Sequence, residues 1–199
     1  MEHNIETLLS FVTPIDSCSR LIVGVDGLSR SGKTTMVKKL AMRLDEQQIP
    51  YCVFHMDDHI VERAKRYQTG QEEWLEHYEK QWDIDWFTHH FFERLLEADE
   101  LKMPFYNAES DTHHVKKVQL PDHGVIIIEG VFLQRQEWRT FFDKVVYLDC
   151  PRHTRFLRES EQTQKNIEKF TNRYWKAEDH YLVTERPIEQ ADLVWKLIE

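Results

Sequence analysis

The chain has 199 residues and a formal net charge of −9 at pH 7, and 41% of its residues are hydrophobic. This length fits one domain, and the apolar fraction can form a substantial core, which excludes long intrinsic disorder. The acidic charge argues against a general nucleic-acid-binding protein, and the apolar runs are too short to cross a membrane.

Three cysteines, Cys18, Cys52 and Cys150, are widely spaced and form no C-x-x-C motif. The N-terminal segment is acidic and lacks the positively charged region that begins a signal peptide. Both features predict a cytoplasmic protein with reduced thiols. The oligomeric state stays open, since the region 57–120 could serve as a dimer surface.

Apolar runs and helical spacings alternate along the chain, and they predict its secondary structure. In chain order the elements are a short helix at 4–12, a strand at 21–26, a helix at 33–47, a strand at 51–56, a helix at 85–97, short strands or a hairpin at 103–107 and 113–120, strands at 124–130 and 144–150, a helix at 166–182, and a last strand within 191–198. Strands that alternate with helices predict an α/β fold, in which helices flank a parallel sheet of about five strands.

Residues 57–120 are polar, aromatic and rich in histidine, and they interrupt this alternation. We expect them to form an insertion at the carboxyl edge of the sheet, where such folds bind ligands. Within it, Trp74, Tyr78 and Trp82 are spaced by four, which fits either the packing face of a helix or stacking on a planar base. The adjacent histidine pairs, at 89–90 and 113–114, do not share a helix face, so zinc is not predicted.

A glycine-rich segment between the first strand and the second predicted helix matches G-x-x-x-x-G-K-[ST]. It consists of Gly27, Leu28, Ser29, Arg30, Ser31, Gly32, Lys33 and Thr34, with Thr35 following. The glycines let backbone N–H groups approach a phosphate closely, and the helix N-terminus adds positive potential. Lys33 would reach the β- and γ-phosphates, and the Thr34 hydroxyl would bind Mg²⁺. The segment therefore predicts ATP and Mg²⁺ binding in a three-layer P-loop NTPase fold.

Two carboxylates at strand ends could complete this site. Glu129 ends a buried strand and would face the loop if the two strands are neighbours; alternatively, it caps the next turn. Asp57 is the first polar residue after the second strand, where it could accept a proton from an attacking hydroxyl and contact Mg²⁺. Asp58 is a rival for that role, and either aspartate could instead cap a helix.

Three arginines, Arg152, Arg155 and Arg158, follow the fourth sheet strand at helical spacing. They share one broad helix face, which could close over the triphosphate and stabilise charge in the transition state. A solvated basic face is the alternative interpretation.

The order of these motifs resembles that of the uridine kinase family of P-loop small-molecule kinases, a group that includes phosphoribulokinase, pantothenate kinase and nicotinamide riboside kinase. The motifs are GLSRSGKT, MDD, WDIDWF, PFYN, VIIIEG, LDCPRHTRFLRE and ERPIEQADLVW, in this order. The resemblance covers nearly all of the chain from about residue 20. It implies a single kinase domain over 1–199, with an acceptor-binding insertion at 57–120 and a helical lid at 151–166.

The resemblance also implies roles for single residues, and these carry over by motif position. Lys33 and the lid arginines Arg155 and Arg158 would act on the phosphates, Asp57 would be the catalytic aspartate, and Glu129 would lie at the metal site. Asp83, with Asp85 as a rival, would hold sugar hydroxyls. Tyr106 would line the base pocket, and His113 or His114 would contact the base. Asp58 is a further candidate for acceptor binding, from its position beside Asp57 rather than from the resemblance.

The chain departs from the family pattern around the acceptor. Asp58-His59-Ile60 stands where the family has Ser-Phe-Tyr, Asn107 replaces an aspartate, and Lys165 is the only cation in ESEQTQKN, where the family has further lid arginines. The predicted function is an ATP-dependent kinase that phosphorylates a hydroxyl of a small molecule, with a nucleoside such as uridine or cytidine favoured.

Alternatives stay open beside this prediction. Nicotinamide riboside, pantothenate or a sugar could be the acceptor, and a nucleoside monophosphate could bind Arg63, Lys65 and Arg66. A non-catalytic ATP-binding regulator is a further alternative. A GTP switch is not favoured, because neither N-K-x-D nor D-x-x-G occurs in the chain.

Overall fold

The computed structural model describes residues 5–13 and 19–196. The strands are β1 Arg20–Asp26, β2 Tyr51–His55, β3 Glu100–Asn107, β4 Thr112–Gln119, β5 Gly124–Glu129, β6 Lys144–Asp149 and β7 Leu193–Lys196. The α-helices are α1 Ile5–Val12, α2 Lys33–Glu46, α3 Arg63–Arg66, α4 Glu73–Glu79, α5 Ile84–His90, α6 Arg152–Leu157, α7 Glu161–Gln164, α8 Ile167–Lys169, α9 Trp175–Thr184 and α10 Pro187–Gln190. Cys18 and the end of the predicted last strand lie outside the described residues.

Five strands form one parallel sheet in the order β2-β5-β1-β6-β7. β5 therefore lies between β1 and β2, and Glu129 at its carboxyl end pairs with Val25 on one side and His55 on the other. The predicted α/β fold with a five-stranded parallel sheet is confirmed. The condition under which Glu129 would face the phosphate loop is also met, because β5 lies beside β1, the strand that leads into that loop.

Side chains of β5 point alternately to the two faces of the sheet, and each face has its own core. Val125 and Ile127 pack in a cluster that includes residues of α1 and α2, such as Leu8 and Leu40. Ile126 and Ile128 pack in a second cluster, which includes aromatic side chains of the insertion such as Tyr78, Trp82 and Phe87. Helices therefore cover both faces, which gives the three layers that the sequence predicted.

The insertion holds helices α3–α5 and an antiparallel hairpin of β3 and β4, as the hairpin alternative predicted. The predicted helix at 85–97 is wrong in extent, because α5 ends at His90 and a 3-10 turn, Phe92–Arg94, follows. Two carbonyls beyond this point, those of Leu95 and Ala98, accept hydrogen bonds from the Arg20 guanidinium, 2.9 and 2.7 Å away. The apolar face of the predicted helix is still buried in the core.

The predicted helix at 166–182 is present but is not regular, since a π-helical turn, Phe170–Tyr174, joins α8 to α9. The aromatic residues spaced by four serve packing: Tyr78 and Trp82 are buried, and the Trp82 indole donates to the Met56 carbonyl, 2.8 Å away. Within the described part of the chain, no helix is long and apolar enough to span a membrane. The same residues hold no cluster of three or more metal-binding histidine, cysteine or acidic side chains.

Candidate active site

The phosphate loop connects β1 to α2 and depends on backbone conformations that favour glycine. Gly27 has a φ of 147° and Gly32 a φ of 100°, while Arg30 between them has a φ of 61°. A Cβ atom at Gly27 would lie 2.8 Å from the carbonyl oxygen of Leu148, which is too close for any side chain. Glycine is therefore required at Gly27 by space as well as by conformation.

The loop presents free donors at the beginning of α2. Gly32 is the N-cap residue of α2, and no side chain caps its first turn. The Ser31 hydroxyl is buried and has no hydrogen-bond partner among the described residues. Lys33 is also buried; burial lowers the pKa of its ammonium, and Nζ donates to the Leu28 carbonyl, 3.1 Å away. The loop thus has the form of an anion-binding cradle whose donors can turn to a phosphate.

Glu129 meets the loop through a hydrogen bond from Thr34, whose Oγ1 lies 3.2 Å from Glu129 Oε2. The same carboxylate oxygen lies 2.5 Å from His55 Nδ1. Burial alone would raise the pKa of Glu129, but the hydrogen bond from His55 and the charge of Lys33 together hold it below its ordinary value. Glu129 is therefore an ionised carboxylate beside a threonine hydroxyl. It does not cap a helix.

Asp57 lies in the 3-10 turn Met56–His59, which directly follows β2. Its carboxylate is open to the same cavity as Lys33 and Glu129. Desolvation by the surrounding protein raises the pKa of Asp57, the charge of Lys33 opposes that rise, and the charge of Glu129 adds to it. Asp58 is exposed in the same turn and does not line the cavity. The next helix, α3, begins at Arg63 with Glu62 as its N-cap residue, so neither aspartate caps a helix near Ile60 and the capping alternative is wrong.

The cavity has a volume of about 1200 Å³ and joins three parts of the molecule. Residues of the phosphate loop and α2 form one wall, and the helices after β6 form a second. The insertion supplies the third wall, with side chains such as Ile60, His77 and Gln81. Asp57 and Glu129 lie at the carboxyl ends of β2 and β5, where the walls meet. This arrangement can hold a phosphate donor and a second small molecule together.

Arg155, a predicted lid arginine, is buried and bonded to protein groups. Its guanidinium donates to Glu178 Oε1 and Oε2, at 2.7 and 2.9 Å, and to the carbonyl of Ser29 in the phosphate loop, at 3.0 Å. It also donates to the Cys150 carbonyl, 3.0 Å away. Arg155 lines the cavity. In this structure, however, it ties α6 to the loop and to α9.

Arg158 and Glu159 make further contacts between the predicted lid and the phosphate loop. Arg158 donates to the carbonyl of Arg30, 2.9 Å away, and Glu159 forms a bidentate pair with the Arg30 guanidinium at 3.0 Å. Arg152 points elsewhere and pairs with Asp179. Arg155 and Arg158 thus reach the phosphate loop, whereas Arg152 does not. Their action on a bound phosphate stays a prediction.

The predicted sugar-binding aspartates do not line the cavity. Asp83 is the N-cap of α5 and accepts a hydrogen bond from the Trp86 backbone N–H, 3.0 Å away. Asp85 is exposed in the first turn of the same helix. Their roles in acceptor binding therefore stay predictions, with helix capping as a sufficient reason for Asp83.

Tyr106 and His113 come together, as the hairpin requires, but they lie outside the cavity lining. Their rings are 5.6 Å apart across the paired strands β3 and β4. The Tyr106 hydroxyl donates to Asp111, at 2.7 Å, and His113 bonds to Glu62 and to the Ile60 carbonyl, at 3.0 and 2.8 Å. His114 pairs with Phe105 instead. Base binding by these residues stays a prediction.

Sequence reasoning missed several residues of the site. Asp26 is fully buried beneath the loop, where it accepts hydrogen bonds from the Tyr181 hydroxyl and from the Gln134 amide. A carboxylate at the end of an apolar strand was the available signal for Asp26. His77 and Gln81 line the cavity, and nothing in their local sequence distinguishes them from surface residues.

Comparisons with known proteins agree with this geometry. A family model described as an AAA domain matches residues 23–179. A uridine kinase of Borrelia garinii subsp. bavariensis is 28% identical over 166 residues, which cover 83% of this chain and 76% of that protein. A uridine kinase of Leuconostoc citreum is 25% identical over 169 residues, which cover 84% of this chain and 79% of that protein.

Two solved structures extend the comparison. That of a possible uridine kinase from Bacillus stearothermophilus is 55% identical, covers 96% of both chains and superposes with a TM-score of 0.86. The second is D-glycerate 3-kinase from Cryptococcus neoformans var. grubii. It is 14% identical, covers 94% of this chain and 85% of that chain, and superposes with a TM-score of 0.52, so this likeness shows the fold alone. The family model spans most of the chain, and the Bacillus relative covers nearly all of it. This chain therefore belongs to the AAA domain family and is a uridine kinase-like P-loop kinase, which is a phosphotransferase with an alcohol acceptor.

Proposed function

We propose that this enzyme transfers the γ-phosphoryl group of ATP to a hydroxyl of an uncharged small molecule, with a nucleoside such as uridine or cytidine as the first candidate. The observation that carries the proposal is the single cavity that Lys33, Asp57 and Glu129 share. Its far wall comes from the insertion, where an acceptor would meet Asp57. The names of the uridine kinase relatives support a nucleoside.

The proposed mechanism assigns one task to each group. The backbone N–H groups of the phosphate loop and Lys33 bind the donor phosphates and offset their charge. Asp57 accepts the proton of the acceptor hydroxyl as its oxygen attacks the γ-phosphorus in line, and ADP leaves with the bridging oxygen. A raised pKa makes Asp57 a better proton acceptor than an ordinary carboxylate. The lid, held by Arg155 and Arg158, keeps water from the γ-phosphate.

The residues present fit a magnesium ion. The Thr34 hydroxyl, the ionised Glu129 and the carboxylate of Asp57 are hard oxygen ligands of the kind that Mg²⁺ accepts, and few protein ligands suffice when phosphates supply the rest. The hydrogen bond between Thr34 and Glu129 brings two of these oxygens within 3.2 Å. When bound, Mg²⁺ would supply positive charge that offsets the charge of the phosphates and so reduces their repulsion of the acceptor oxygen.

Charge on the insertion argues against a monophosphate acceptor. None of the three cations that could bind its phosphate, Arg63, Lys65 and Arg66, is among the described residues that line the cavity. Arg66 donates to the carbonyl of Val61 and to the hydroxyl of Tyr106, at 2.9 and 3.2 Å. A second phosphate in this part of the cavity would therefore lack a counter-charge.

The test is a panel of acceptors with Mg·ATP: uridine, cytidine, nicotinamide riboside, pantothenate, sugars and nucleoside monophosphates. ADP release and phosphorylated product are measured together, with Lys33→Ala as the blank. Asp57→Asn should keep ATP binding and lose about 10²- to 10⁴-fold in kcat, the usual contribution of a general base. Asp122→Asn, at an exposed site, is the matched control.

Product from a nucleoside, lost in the blank, would support the proposal. Product from monophosphates, nicotinamide riboside or pantothenate alone would contradict the uncharged acceptor, because each of these compounds carries a charge. Binding of ATP without any product would favour the non-catalytic regulator.

A further inference from the structure

His55 is the last residue of β2, and the proposed mechanism does not use it. Its neighbour across the sheet is Glu129, the last residue of β5. Val53 and Ile127, two residues earlier on the same strands, pack in the cluster that includes α1 and α2. Because side chains alternate along a strand, His55 and Glu129 point to that same face of the sheet. Thr34, in the first turn of α2, also lies there, so the three side chains meet.

Two donors converge on one oxygen of the Glu129 carboxylate. His55 Nδ1 lies 2.5 Å from Glu129 Oε2, and the Thr34 hydroxyl donates to the same oxygen across 3.2 Å. An ionised carboxylate has no hydrogen to donate, so the proton of the shorter contact lies on Nδ1 of the imidazole. His55 is therefore a donor to Glu129 whether its ring is neutral or charged.

The second oxygen of this carboxylate, Glu129 Oε1, is left open. It accepts no hydrogen bond within the described part of the chain, and it is not shielded from solvent. The Glu129 side chain lines the cavity, together with Lys33 and Asp57. The Thr34 hydroxyl gives its hydrogen to Oε2, which leaves the lone pairs of its own oxygen for a ligand. A carboxylate oxygen and a hydroxyl oxygen are thus both available to a cation.

His55 itself is not one of the described residues that line the cavity. Its side chain is 35% exposed, whereas that of Glu129 is 8% exposed, so the imidazole lies behind the carboxylate and nearer to solvent. His55 is therefore placed to affect a bound molecule through Glu129 rather than by direct contact. Loss of a side chain that orients a metal ligand in this way typically weakens metal binding by about 10- to 100-fold.

We propose that His55 is a positioning residue for the divalent cation that accompanies the donor phosphates. Together with the Thr34 hydroxyl it holds Glu129 Oε2, so that Glu129 Oε1 is the oxygen offered to the cation. Without the imidazole donor the carboxylate would have more rotational freedom, and ordering it would reduce the free energy of cation binding. The inference rests on the proposed function, because it requires the magnesium site that the function includes.

The test measures the affinity of the full chain for the β,γ-imido analogue of ATP, with and without Mg²⁺, by titration calorimetry. The ratio of the two affinities is the gain that Mg²⁺ provides, and a general weakening of the nucleotide site cancels from this ratio. His55→Leu removes the donor at a half-exposed position. It should reduce the gain at least about tenfold and leave the affinity without Mg²⁺ unchanged.

Three further variants separate positioning from packing. His55→Asn can place an amide N–H where Nδ1 stands, so it should restore most of the gain. His55→Phe keeps a ring without a donor, so it should behave like His55→Leu, and it replaces that variant if His55→Leu does not fold. His89→Leu is the matched control, since His89 Nδ1 also faces a carboxylate, that of Glu93 at 3.1 Å, but this pair is exposed on the insertion. The control should match the wild type.

The outcomes distinguish this inference from the proposed function. A gain within about twofold of the wild type in the variants that lack a donor would overturn the role of His55. So would an equal fall in affinity with and without Mg²⁺ that His55→Asn does not restore, or a wild-type affinity that does not respond to Mg²⁺. In each case the kinase proposal stands if the wild type phosphorylates an acceptor of the panel. If it phosphorylates none, the proposed function fails, and the calorimetry still decides whether His55 acts on a nucleotide-bound metal.

Discussion

Thr34 and Glu129 are 95 positions apart in the chain, and yet the Thr34 hydroxyl donates to the Glu129 carboxylate across 3.2 Å. The contact exists because β5 lies beside β1, so the end of one strand meets the loop that follows the other. A hydroxyl and a carboxylate in this position suit a metal ion better than either would alone.

Glu129→Gln tests this pair, because it keeps an acceptor oxygen for Thr34 and removes the charge. We expect the Mg²⁺ concentration for half-maximal activity to rise at least about tenfold, since a neutral amide is a weaker ligand for a hard cation. The measurement is a Mg²⁺ titration at constant ATP. Glu168→Gln, at an exposed site, is the control, and an unchanged titration curve for Glu129→Gln would remove Glu129 from the metal site.

Gly27→Ala should abolish ATP binding, because the new Cβ atom would collide with the Leu148 carbonyl and distort the loop. Gly70→Ala is a matched control: Gly70 also has a positive φ, of 87°, but nothing lies within 4 Å of its Cβ position. That control should cost only about 1 kcal/mol of stability, from backbone strain, and keep full affinity. Isothermal titration calorimetry measures the ATP affinity of both variants. Equal behaviour of the two variants would contradict the steric argument.

Glu178→Gln should destabilise the protein strongly, because Glu178 and its partner Arg155 are both buried. Removing one member of a buried ion pair leaves the other uncompensated, at a cost of about 3–5 kcal/mol in the free energy of unfolding. Urea unfolding followed by tryptophan fluorescence measures the loss.

The neighbouring pair Arg152–Asp179 provides the control, since both side chains are largely exposed. Asp179→Asn should change the free energy of unfolding by less than about 1 kcal/mol. Equal losses in Glu178→Gln and Asp179→Asn would show that burial does not decide the effect.

Asp26 should make stability depend on pH. Burial raises its pKa above the ordinary 3.8, although hydrogen bonds from Tyr181 and Gln134 oppose the rise. The folded state therefore holds this proton to a higher pH than the unfolded chain does, and the contribution of Asp26 to stability falls as pH rises through that window. Asp26→Asn removes the titration.

The measurement is the Tm of both proteins from about pH 4 to about pH 7. We expect the wild type to lose stability relative to Asp26→Asn as pH rises across this range. Parallel curves would show that the pKa of Asp26 is not raised.

The phosphate loop and the sheet could be predicted because their signals are local. Gly27 and Gly32 lie at the spacing that a phosphate cradle requires, and a continuous apolar run such as that of β5 indicates a buried strand. The order of the strands within the sheet could not be predicted in this way. The prediction that Glu129 faces the loop therefore depended on β1 and β5 being neighbours.

The insertion could not be predicted in the same way. Asp83 caps a helix through its side chain, a use that the motif around it does not distinguish from ligand binding. The cavity-lining residues His77 and Tyr174 are distant in the chain and meet only through tertiary packing. Spacings of three and four also fit a regular helix at 166–182, and they do not reveal the extra residue of the π-helical turn.

The position of β5 within the sheet also bears on how the protein is synthesised. β1, the phosphate loop, α2 and β2 leave the ribosome before β5, but β1 and β2 do not pair with each other, because β5 lies between them in the sheet. Glu129 is the last residue of β5, so this carboxylate reaches the site together with the strand that joins the two parts of the sheet. A nascent chain that ends before residue 124 thus carries the complete phosphate-loop sequence without the strand that lies between β1 and β2 in the sheet.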